Sequence, residues 1–402
     1  MRPVAVPALF RSILTACALA TPHAALAADS LGELLRDKGV VSQAELDALP
    51  QPVSTAHDGK NFTWRTADRR FDMRLYGYGQ FRYTLTDAQP GTNTDGFTVQ
   101  RARLGANGHA FADDLAWQLF LNVYSGKADA AVGLFDLFAD YTPSTRLGVR
   151  VGQHKVPYAV QWNISAANLQ FVERGAVDAA FRLDRDTGVT LHGAATPNVQ
   201  YDLGVFNGEG LNRNNAGTGH LWVARLMATP LGRYALAESD QAGTAQPAVL
   251  LALGAAFNDN VASHTITSLN GRLAALGRSD VSGLNAFAGI RWRGASAQAE
   301  AHRRRIDPAT SGTPAETARG LAVQAGWFVV PGKVEVAARH EHLDPDTRLS
   351  GDLVRETGVA VGRFFNGHHN KLQADLFQVT TQTAPGQDTD GVRLRVQYQV
   401  AF

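Results

Sequence analysis

Arginine recurs at every second position in several stretches of the sequence. In the last stretch, Arg393 and Arg395 alternate with Val392, Leu394 and Val396. A guanidinium group stays charged and can bind a phosphate or a carboxylate through two parallel hydrogen bonds. A row of such groups on one face of the chain is suited to recognising small anions.

Other chemistry has weaker support in the sequence. Residues 340–342 read His-Glu-His and residues 368–369 are His-His, but neither pair has a third metal ligand at a recognisable spacing. No G-x-S-x-G nucleophile elbow occurs, and Cys17 is the only cysteine. We therefore expect no catalytic residue, no metal site and no cofactor.

The arginines can share a face only where the chain is extended, because side chains alternate between the two faces of a β-strand. Residues 390–402 place apolar side chains on one face and only polar side chains on the other. Sixteen segments alternate in this way, roughly at 70–84, 97–109, 115–124, 131–141, 146–154, 185–194, 199–207, 219–229, 248–258, 282–293, 295–305, 319–330, 332–342, 353–365, 370–380 and 390–402. Most are longer than the strands of soluble sandwiches, which usually have about five or six residues.

The connections between these segments alternate in length. Those that follow even-numbered segments are short, except for 230–247. The long connections follow odd-numbered segments, at 85–96, 155–184, 208–218, 259–281, 306–318 and 381–389. An even strand count with short periplasmic turns and longer extracellular loops is typical of bacterial outer-membrane barrels. The sequence predicts an all-β fold, a transmembrane antiparallel β-barrel of 16 strands over residues 69–402, closed by pairing of 390–402 with 70–84.

Length and charge agree with one large barrel. The chain has 402 residues and a formal net charge of +1, whereas general nucleic-acid binders usually carry a basic excess. We expect no nucleic-acid partner. Beyond the amino terminus no run of eighteen apolar residues occurs, so no transmembrane helix is predicted.

The amino terminus has the features of a signal peptide over residues 1–27. Arg2 and Arg11 precede a short apolar stretch, and Ala25-Leu26-Ala27 has the small-x-small form of a cleavage site. A lipoprotein box ending at Cys17 is the alternative, but Arg11 leaves almost no apolar run in front of it. We therefore expect an exported protein.

Residues 28–68 form a separate short segment in this interpretation. Ser30 and Glu33 could cap a helix, and the pattern over 30–50 is helical, followed by a Pro-, Ser- and Gly-containing linker at 51–60. The helical part is expected in the periplasm, as a small hairpin or as the handle of a coiled-coil trimer.

Three stretches resemble a known family. They are Phe-Thr-Val-Gln-Arg-Ala-Arg-Leu-Gly-Ala-Asn-Gly at 97–108, Gly-Val-Arg-Val-Gly-Gln-His-Lys-Val-Pro-Tyr from 148 with Asn-Leu-Gln-Phe-Val-Glu-Arg at 168–174, and Gly-Val-Phe-Asn-Gly-Glu-Gly at 204–210. In this order they resemble the phosphate-selective porin O and P family. The resemblance implies an outer-membrane porin embedded in outer-membrane lipid, a homotrimer, and passive diffusion of small solutes. It leaves phosphate selectivity open, because fold does not fix function.

The carboxy terminus resembles the recognition signal of outer-membrane barrels. Phe402 is an aromatic last residue after an alternating strand. The resemblance implies that the outer-membrane assembly machinery binds the chain through Phe402.

The polar face of each strand is expected to line the lumen. Pore-lining candidates on this basis are Arg70, Arg74, Arg82, Arg101, Arg103, Arg146, Arg150, Arg225, Arg291, Arg293, Arg393 and Arg395. They outnumber the carboxylates on the same faces, and charged rings of one sign select ions in pores. We therefore expect a modest preference for small anionic solutes, although any one of these arginines could instead brace the wall against a neighbouring Asp or Glu.

The connection 155–184 is the long early loop. Its constriction candidates are Lys155, Glu173 and Arg174. Such a loop either folds inward and narrows the channel or stays at the surface as a loop or trimer latch. The alternative function for the whole chain is a barrel enzyme or an adhesin without a conducting pore; these would need a catalytic cluster at one rim or much longer loops.

Overall fold

A computed structural model describes residues 36, 38–42, 44, 53–57, 61–89, 91–126, 132–261, 267–384 and 387–402. Two short strands, β1 (Ser54–His57) and β2 (Phe62–Arg65), precede sixteen longer ones. The longer strands are β3 (Asp72–Gln89), β4 (Thr94–Ala110), β5 (Ala112–Tyr124), β6 (Gly133–Ser144), β7 (Leu147–Lys155), β8 (Arg185–Thr196), β9 (Val199–Phe206), β10 (Leu221–Ala228), β11 (Ala248–Val261), β12 (Ser279–Trp292), β13 (Ala295–Pro308), β14 (Glu316–Val330), β15 (Val334–Asp344), β16 (Val354–Asn366), β17 (Asn370–Ala384) and β18 (Gln387–Ala401).

Strands β3 to β18 form one closed antiparallel barrel. Each pairs with the next, and β18 pairs with β3 through partners such as Val396 and Tyr83. Phe402 extends this seam, because its backbone N–H donates to the carbonyl of Gly77 and its carbonyl accepts from the N–H of Gly77, both at 3.0 Å. The predicted 16-strand barrel is confirmed.

The two faces of the wall differ as the alternation predicts. On β14, Leu321, Val323 and Trp327 are exposed on the outside, while Gln324 between them is 5% exposed and points inward. Glu300 and Asn285 are likewise buried on the inner face of neighbouring strands. An outer apolar surface with a polar interior is the arrangement that lipid requires of a barrel wall.

Two predicted long loops are wrong. Residues 85–96 and 381–389 are largely strand, because β3 and β4 continue pairing to Thr86 and Thr94, and β17 and β18 to Ala384 and Gln387. In these hairpins apolar and polar residues do not alternate, but the backbone hydrogen bonds between the two strands continue.

The segment before the barrel also differs from the prediction. Strands β1 and β2 form a hairpin where the sequence predicts linker, and β2 adds to the start of β3 through partners such as Phe62 and Leu75. The predicted signal peptide at 1–27 lies outside the described residues, as does about two thirds of the predicted helical region at 30–50.

The helices are short and lie in connections. They are α1 (Val160–Asn163), a 3₁₀ turn at Ala166–Asn168, α2 (Ala176–Phe181) and α3 (Thr267–Leu276). None of the described helices has both the length and the apolar character needed to span a bilayer. Tyr158 and Trp162 from the first of these connections pack with Leu269 and Leu273 of α3 in one buried cluster. Part of the barrel interior is therefore filled by loops.

Candidate pore and its constriction

The connection 156–184, named here the constriction loop, folds into the barrel. Three carboxylates of the inner wall accept hydrogen bonds from its backbone. Glu300 on β13 accepts from the N–H of Val160 at 2.8 Å. Asp375 on β17 accepts from Val172 at 3.0 Å, and Glu341 on β15 accepts from Val177 at 2.9 Å. The loop is held along its length, because these buried carboxylates satisfy backbone N–H groups of the loop that would otherwise lack an acceptor inside the barrel.

Glu173 fixes the opposite side of the loop. Its carboxylate accepts from Arg101 at 2.7 Å and from Arg82 at 3.0 Å, while Arg339 donates to its backbone carbonyl at 3.0 Å. Burial alone would raise the pKa of the Glu173 carboxyl, but Arg101 and Arg82, with Arg174 beside them, hold that pKa well below its usual range. The carboxylate, which stays charged in mild acid, therefore clamps the loop to β3 and β4, and the backbone carbonyl of the same residue ties it to β15.

Glycines on the inner wall make room for the loop. A Cβ at Gly326 would collide with the side-chain amide of Gln170, and one at Gly320 would lie 2.6 Å from the ring of Phe181. Gly254 faces the backbone carbonyl of Tyr158, at 2.6 Å from its Cβ position. The wall has glycine where the loop places a large side chain or its backbone, so the two surfaces fit closely.

The periplasmic connection between β10 and β11 also turns inward. Glu238 accepts a hydrogen bond from the backbone N–H of Gln170 at 2.7 Å, which joins this connection to the constriction loop. Ser239 donates to Glu335 of the wall at 2.7 Å, and Arg291 lies over the ring of Tyr234 at 4.4 Å. This explains why 230–247 breaks the rule of short periplasmic turns. The interior beside β11 to β17 is filled from both ends.

A passage remains between the constriction loop and the wall of β3 to β10. It contains a cavity of about 850 Å³. The lining extends from Asn61 and Phe402, at the periplasmic end of the seam, to Lys155 and Arg185 at the extracellular ends of β7 and β8. Among the described residues that line it, nine are cationic and three are carboxylates. The nine cations are Arg74, Arg101, Arg103, Arg150, Lys155, Arg174, Arg182, Arg185 and Arg225.

Aromatic rings hold several of these cations in place. The guanidinium groups of Arg103 and Arg185 lie over the ring of Phe135 at 4.6 and 4.4 Å. Arg150 lies over Phe138 at 4.6 Å. Cation–π contact fixes a guanidinium without neutralising it. Arg103 has no ion pair in the described part of the chain, whereas Arg150 and Arg185 also pair with aspartates of the wall.

Three more cations lie around the ring of Trp162 in α1. Lys155, Arg174 and Arg182 lie 5.0, 4.7 and 4.3 Å from the centre of its ring. Lys155 also donates to the carbonyl of Trp162 at 2.7 Å, and Arg174 donates to the carbonyl of Ile164. The passage therefore has basic side chains on the loop side as well as on the wall.

Four carboxylates reduce the charge of the wall. Asp136, Asp184 and Asp202 line the passage, and Asp184 lies 3.4 Å from Arg185; Asp140 is outside the lining but pairs with Arg150. Asp140 accepts from Arg150 at 2.5 Å. Asp136 accepts from Arg185 at 2.8 Å, and Asp202 pairs with Arg225 at 2.9 Å. These pairs brace neighbouring strands and leave an excess of positive charge.

The structure divides the twelve pore-lining candidates into three groups. Five line the passage: Arg74, Arg101, Arg103, Arg150 and Arg225. Four point inward but are covered by loops or held in ion pairs: Arg82, Arg291, Arg393 and Arg395. Three lie in or beside periplasmic turns, outside the strands of the wall: Arg70, Arg146 and Arg293. The constriction candidates Lys155 and Arg174 line the passage, and Glu173 is the clamp of the loop.

Two cations of the passage are absent from the predicted set. Arg182 precedes β8 and lies outside any strand, so alternation gives it no direction. Arg185 has the parity of the outward-facing Val189 and Leu191, yet its guanidinium lies inside against Asp136. The neighbouring strand β7 is irregular close to this point, at Gly152, whose φ is +126° and where a Cβ would collide with the carbonyl oxygen of Leu137.

The histidine pairs do not form a metal site in the described part of the chain. No group of three His, Cys, Asp or Glu side chains there could hold an ion. His340 instead bonds the hydroxyl of Thr357 at 2.7 Å on the outer face, and His368 contacts Lys371 at 3.2 Å.

Comparisons with known proteins agree with this architecture. The sequence profile of the family described as "Phosphate-selective porin O and P" matches residues 71–402. The anion-selective porin from Comamonas acidovorans has a similar structure, with 12% identity, a TM-score of 0.57, and coverage of 82% of this chain and 99% of that one. The outer-membrane channel DcaP of Acinetobacter baumannii shares 10% identity at a TM-score of 0.54, with 82% and 97% coverage. No curated protein sequence matches the chain.

Structural likeness at such low identity shows the fold alone, whereas the family match covers most of the chain and includes the stretches from 97 to 210. The barrel, its inward loop and its charged passage are those of a channel wall. The chain belongs to the phosphate-selective porin O and P family and is a porin of the bacterial outer membrane.

Proposed function

We propose that this porin lets small hydrophilic solutes diffuse passively and prefers anions. The observation that carries the proposal is the lining of the passage, where nine cationic side chains face three carboxylates among the described residues. A surplus of one sign in a narrow, partly apolar channel raises the local concentration of ions of the opposite sign.

The chemistry of the lining favours oxyanions such as phosphates and carboxylates. Guanidinium groups can donate two parallel hydrogen bonds to such groups, and most of the cations here are arginines. The relative from Comamonas acidovorans is described as anion-selective, and the family as phosphate-selective. Both descriptions support the proposal, and neither identifies the solute that this chain carries.

Planar-bilayer recordings test the sign of the selectivity. In a gradient of potassium chloride, the reversal potential of the purified protein should have the sign of chloride permeation. Arg150→Gln, in the passage, should move it toward zero, whereas Arg293→Gln, in an exposed turn, should not. A cation-selective wild type would refute the proposal. Competition of phosphate with chloride in single-channel current then decides whether phosphate is preferred.

We also propose the features that the sequence alone suggests. These are export through a signal peptide at 1–27, a periplasmic segment at 28–68, a homotrimer, and recognition of Phe402 by the assembly machinery. Light scattering of the detergent-solubilised protein measures the oligomer, and amino-terminal sequencing of the mature chain locates the cleavage site.

Our proposal includes no catalysis. Channel activity without a rim-located enzymatic activity separates the porin from the barrel enzyme, and measurable single-channel conductance separates it from the adhesin.

A further inference from the structure

A group of arginines lies on the outside of the barrel, away from the passage. Arg303 on β13 and Arg319 on β14 are direct cross-strand partners, and both are exposed. They share the outward face with Leu321, Val323 and Trp327. Both lie near the strand ends that lead into the connection 309–315, which is the extracellular end of the barrel.

Two further basic side chains lie one step lower on the same face. His342 on β15 is the cross-strand partner of Leu321, and Arg355 on β16 is the partner of His342. The group Arg303, Arg319, His342 and Arg355 is named here the outer basic patch. It crosses four neighbouring strands at the upper border of the apolar surface.

Like charges directly opposite one another destabilise a sheet unless an anion lies between them. Among the described residues, none forms a hydrogen bond or an ion pair with the guanidinium of Arg303 or of Arg355. Nearby Asp307 is bound to Arg305 at 2.6 Å, which leaves Asp344, opposite Arg319, and Asp352 beside it as carboxylates near the three arginines of the patch. The patch therefore has a surplus of positive charge that the protein does not balance.

An apolar groove lies directly below the patch. It has a volume of about 910 Å³ and is formed on the outer surface where small side chains such as Ala297, Ala299 and Ala325 follow Arg303 and Arg319 toward the periplasm. Val323 and Val359 form its sides. A ligand that fills both features must have an anionic head at the interface and a hydrocarbon chain below it.

We propose that the outer basic patch binds the phosphorylated headgroup of an outer-leaflet lipid, with an acyl chain in the groove below. Free phosphate would satisfy the guanidinium groups but would leave the groove empty. The lipid satisfies both, and guanidinium pairs bind phosphate in two-point geometry. The site lies outside the pore, so it is independent of the solute that the channel carries.

Native mass spectrometry of the detergent-solubilised protein tests the proposal with diphosphoryl lipid A as the probe. We expect a specific adduct, and Arg303→Gln with Arg319→Gln should weaken its binding about tenfold or more, because the phosphate loses two charge-assisted hydrogen-bond donors. Lys333→Gln with Arg363→Gln is the matched control, because it removes two positive charges from the periplasmic border. It should leave the affinity unchanged.

Two further binding measurements separate the contribution of the phosphorylated headgroup from that of the acyl chain. Fully dephosphorylated lipid A should bind as weakly as the double arginine variant does, and Ala299→Phe should weaken binding by filling the groove. Equal binding of the dephosphorylated lipid, or equal loss in the control variant, would overturn the proposal. Displacement of the lipid by millimolar inorganic phosphate would also overturn it, since the acyl chain would then contribute nothing. The reversal potential of the double variant should match the wild type, which keeps this test separate from that of the pore.

Discussion

Replacing Glu173 with glutamine tests whether the constriction loop sets the selectivity of the pore. The substitution keeps the size of the side chain and removes the charge that Arg82 and Arg101 share. The loop should stay in place, because Glu300 and Glu341 still accept hydrogen bonds from its backbone. Arg101 lines the passage, so the net effect is one more unbalanced positive charge beside the permeating ion.

The size of the effect follows from Coulomb's law. A unit charge about 5 Å from an ion in water contributes about 0.8 kcal/mol, which screening at about 0.1 M salt reduces to about 0.5 kcal/mol. This favours anions about twofold and disfavours cations by the same factor. The ratio of anion to cation permeability should therefore rise about fivefold.

The assay is the reversal potential in a potassium chloride gradient. Glu173→Asp, which keeps the charge, and Asp307→Asn, which removes one on the outer face, should both behave like the wild type. An unchanged ratio in Glu173→Gln would refute the reasoning. A ratio that falls toward one, with higher conductance, would also refute it, since the loop would then depend on Glu173 for its position.

The same pair of proteins tests the charge state of Glu173. A carboxyl whose pKa is lowered in the folded protein contributes its stabilisation above the unfolded pKa, and loses it only as the pH falls through the lower, folded value. The difference in the ratio of anion to cation permeability between wild type and Glu173→Gln should therefore persist at about pH 4.5, close to the ordinary pKa of glutamate. If the difference halves there, the clamp is weaker than the structure indicates.

Three further substitutions test the wall. Gly77→Val should lower the temperature at which the folded barrel unfolds, followed as its change of mobility in gels. The new Cβ would lie 2.7 Å from the carbonyl of Arg103 and 3.0 Å from the ring of Phe402. An unchanged unfolding temperature would contradict the close packing of the seam. Asp375→Ala should cost about 3 kcal/mol or more in urea unfolding from lipid vesicles, since it leaves a buried guanidinium unpaired, and a smaller loss would mean that water reaches the site. Gly326→Leu should displace the constriction loop at Gln170 and raise single-channel conductance; unaltered conductance would show that the loop can shift aside.

The strands could be predicted because lipid imposes a strict pattern on them. Outward positions that meet the hydrocarbon of the bilayer are mostly apolar, so alternation locates all sixteen strands to within a few residues. The pattern fails at 85–89, where Thr86 and Asp87 belong to β3. Outside the bilayer a strand can be polar on both faces, and the backbone ladder then continues without any signal in the sequence.

The passage could be predicted only in part, because alternation gives the direction of a side chain and not what covers it. Arg150 and Arg395 both point inward, as expected. Arg150 lines the passage, whereas Arg395 donates two hydrogen bonds of 2.8 Å to Asp375, its direct partner on β17. Arg150 is likewise bound to its direct partner, Asp140 on β6, so strand pairing does not separate the two arginines. The constriction loop does, because the N–H of Val172 covers Asp375, and alternation does not reveal where a loop folds.

The constriction loop determines which of the inward-pointing charges a solute meets, because it covers one side of the inner wall. Glu300, Glu341 and Asp375 lie on the strands that it covers, and each accepts a hydrogen bond from a backbone N–H of the loop. These carboxylates would oppose anion passage if they faced water. By folding against them, the loop hides acidic groups of β13 to β17 and leaves open the wall of β3 to β10, where cations outnumber carboxylates. The loop covers cations of these strands as well, since Arg304, Arg339 and Lys371 donate to its backbone carbonyls. The same segment therefore narrows the channel and decides which side of the wall a solute meets, and on the open side cations outnumber carboxylates.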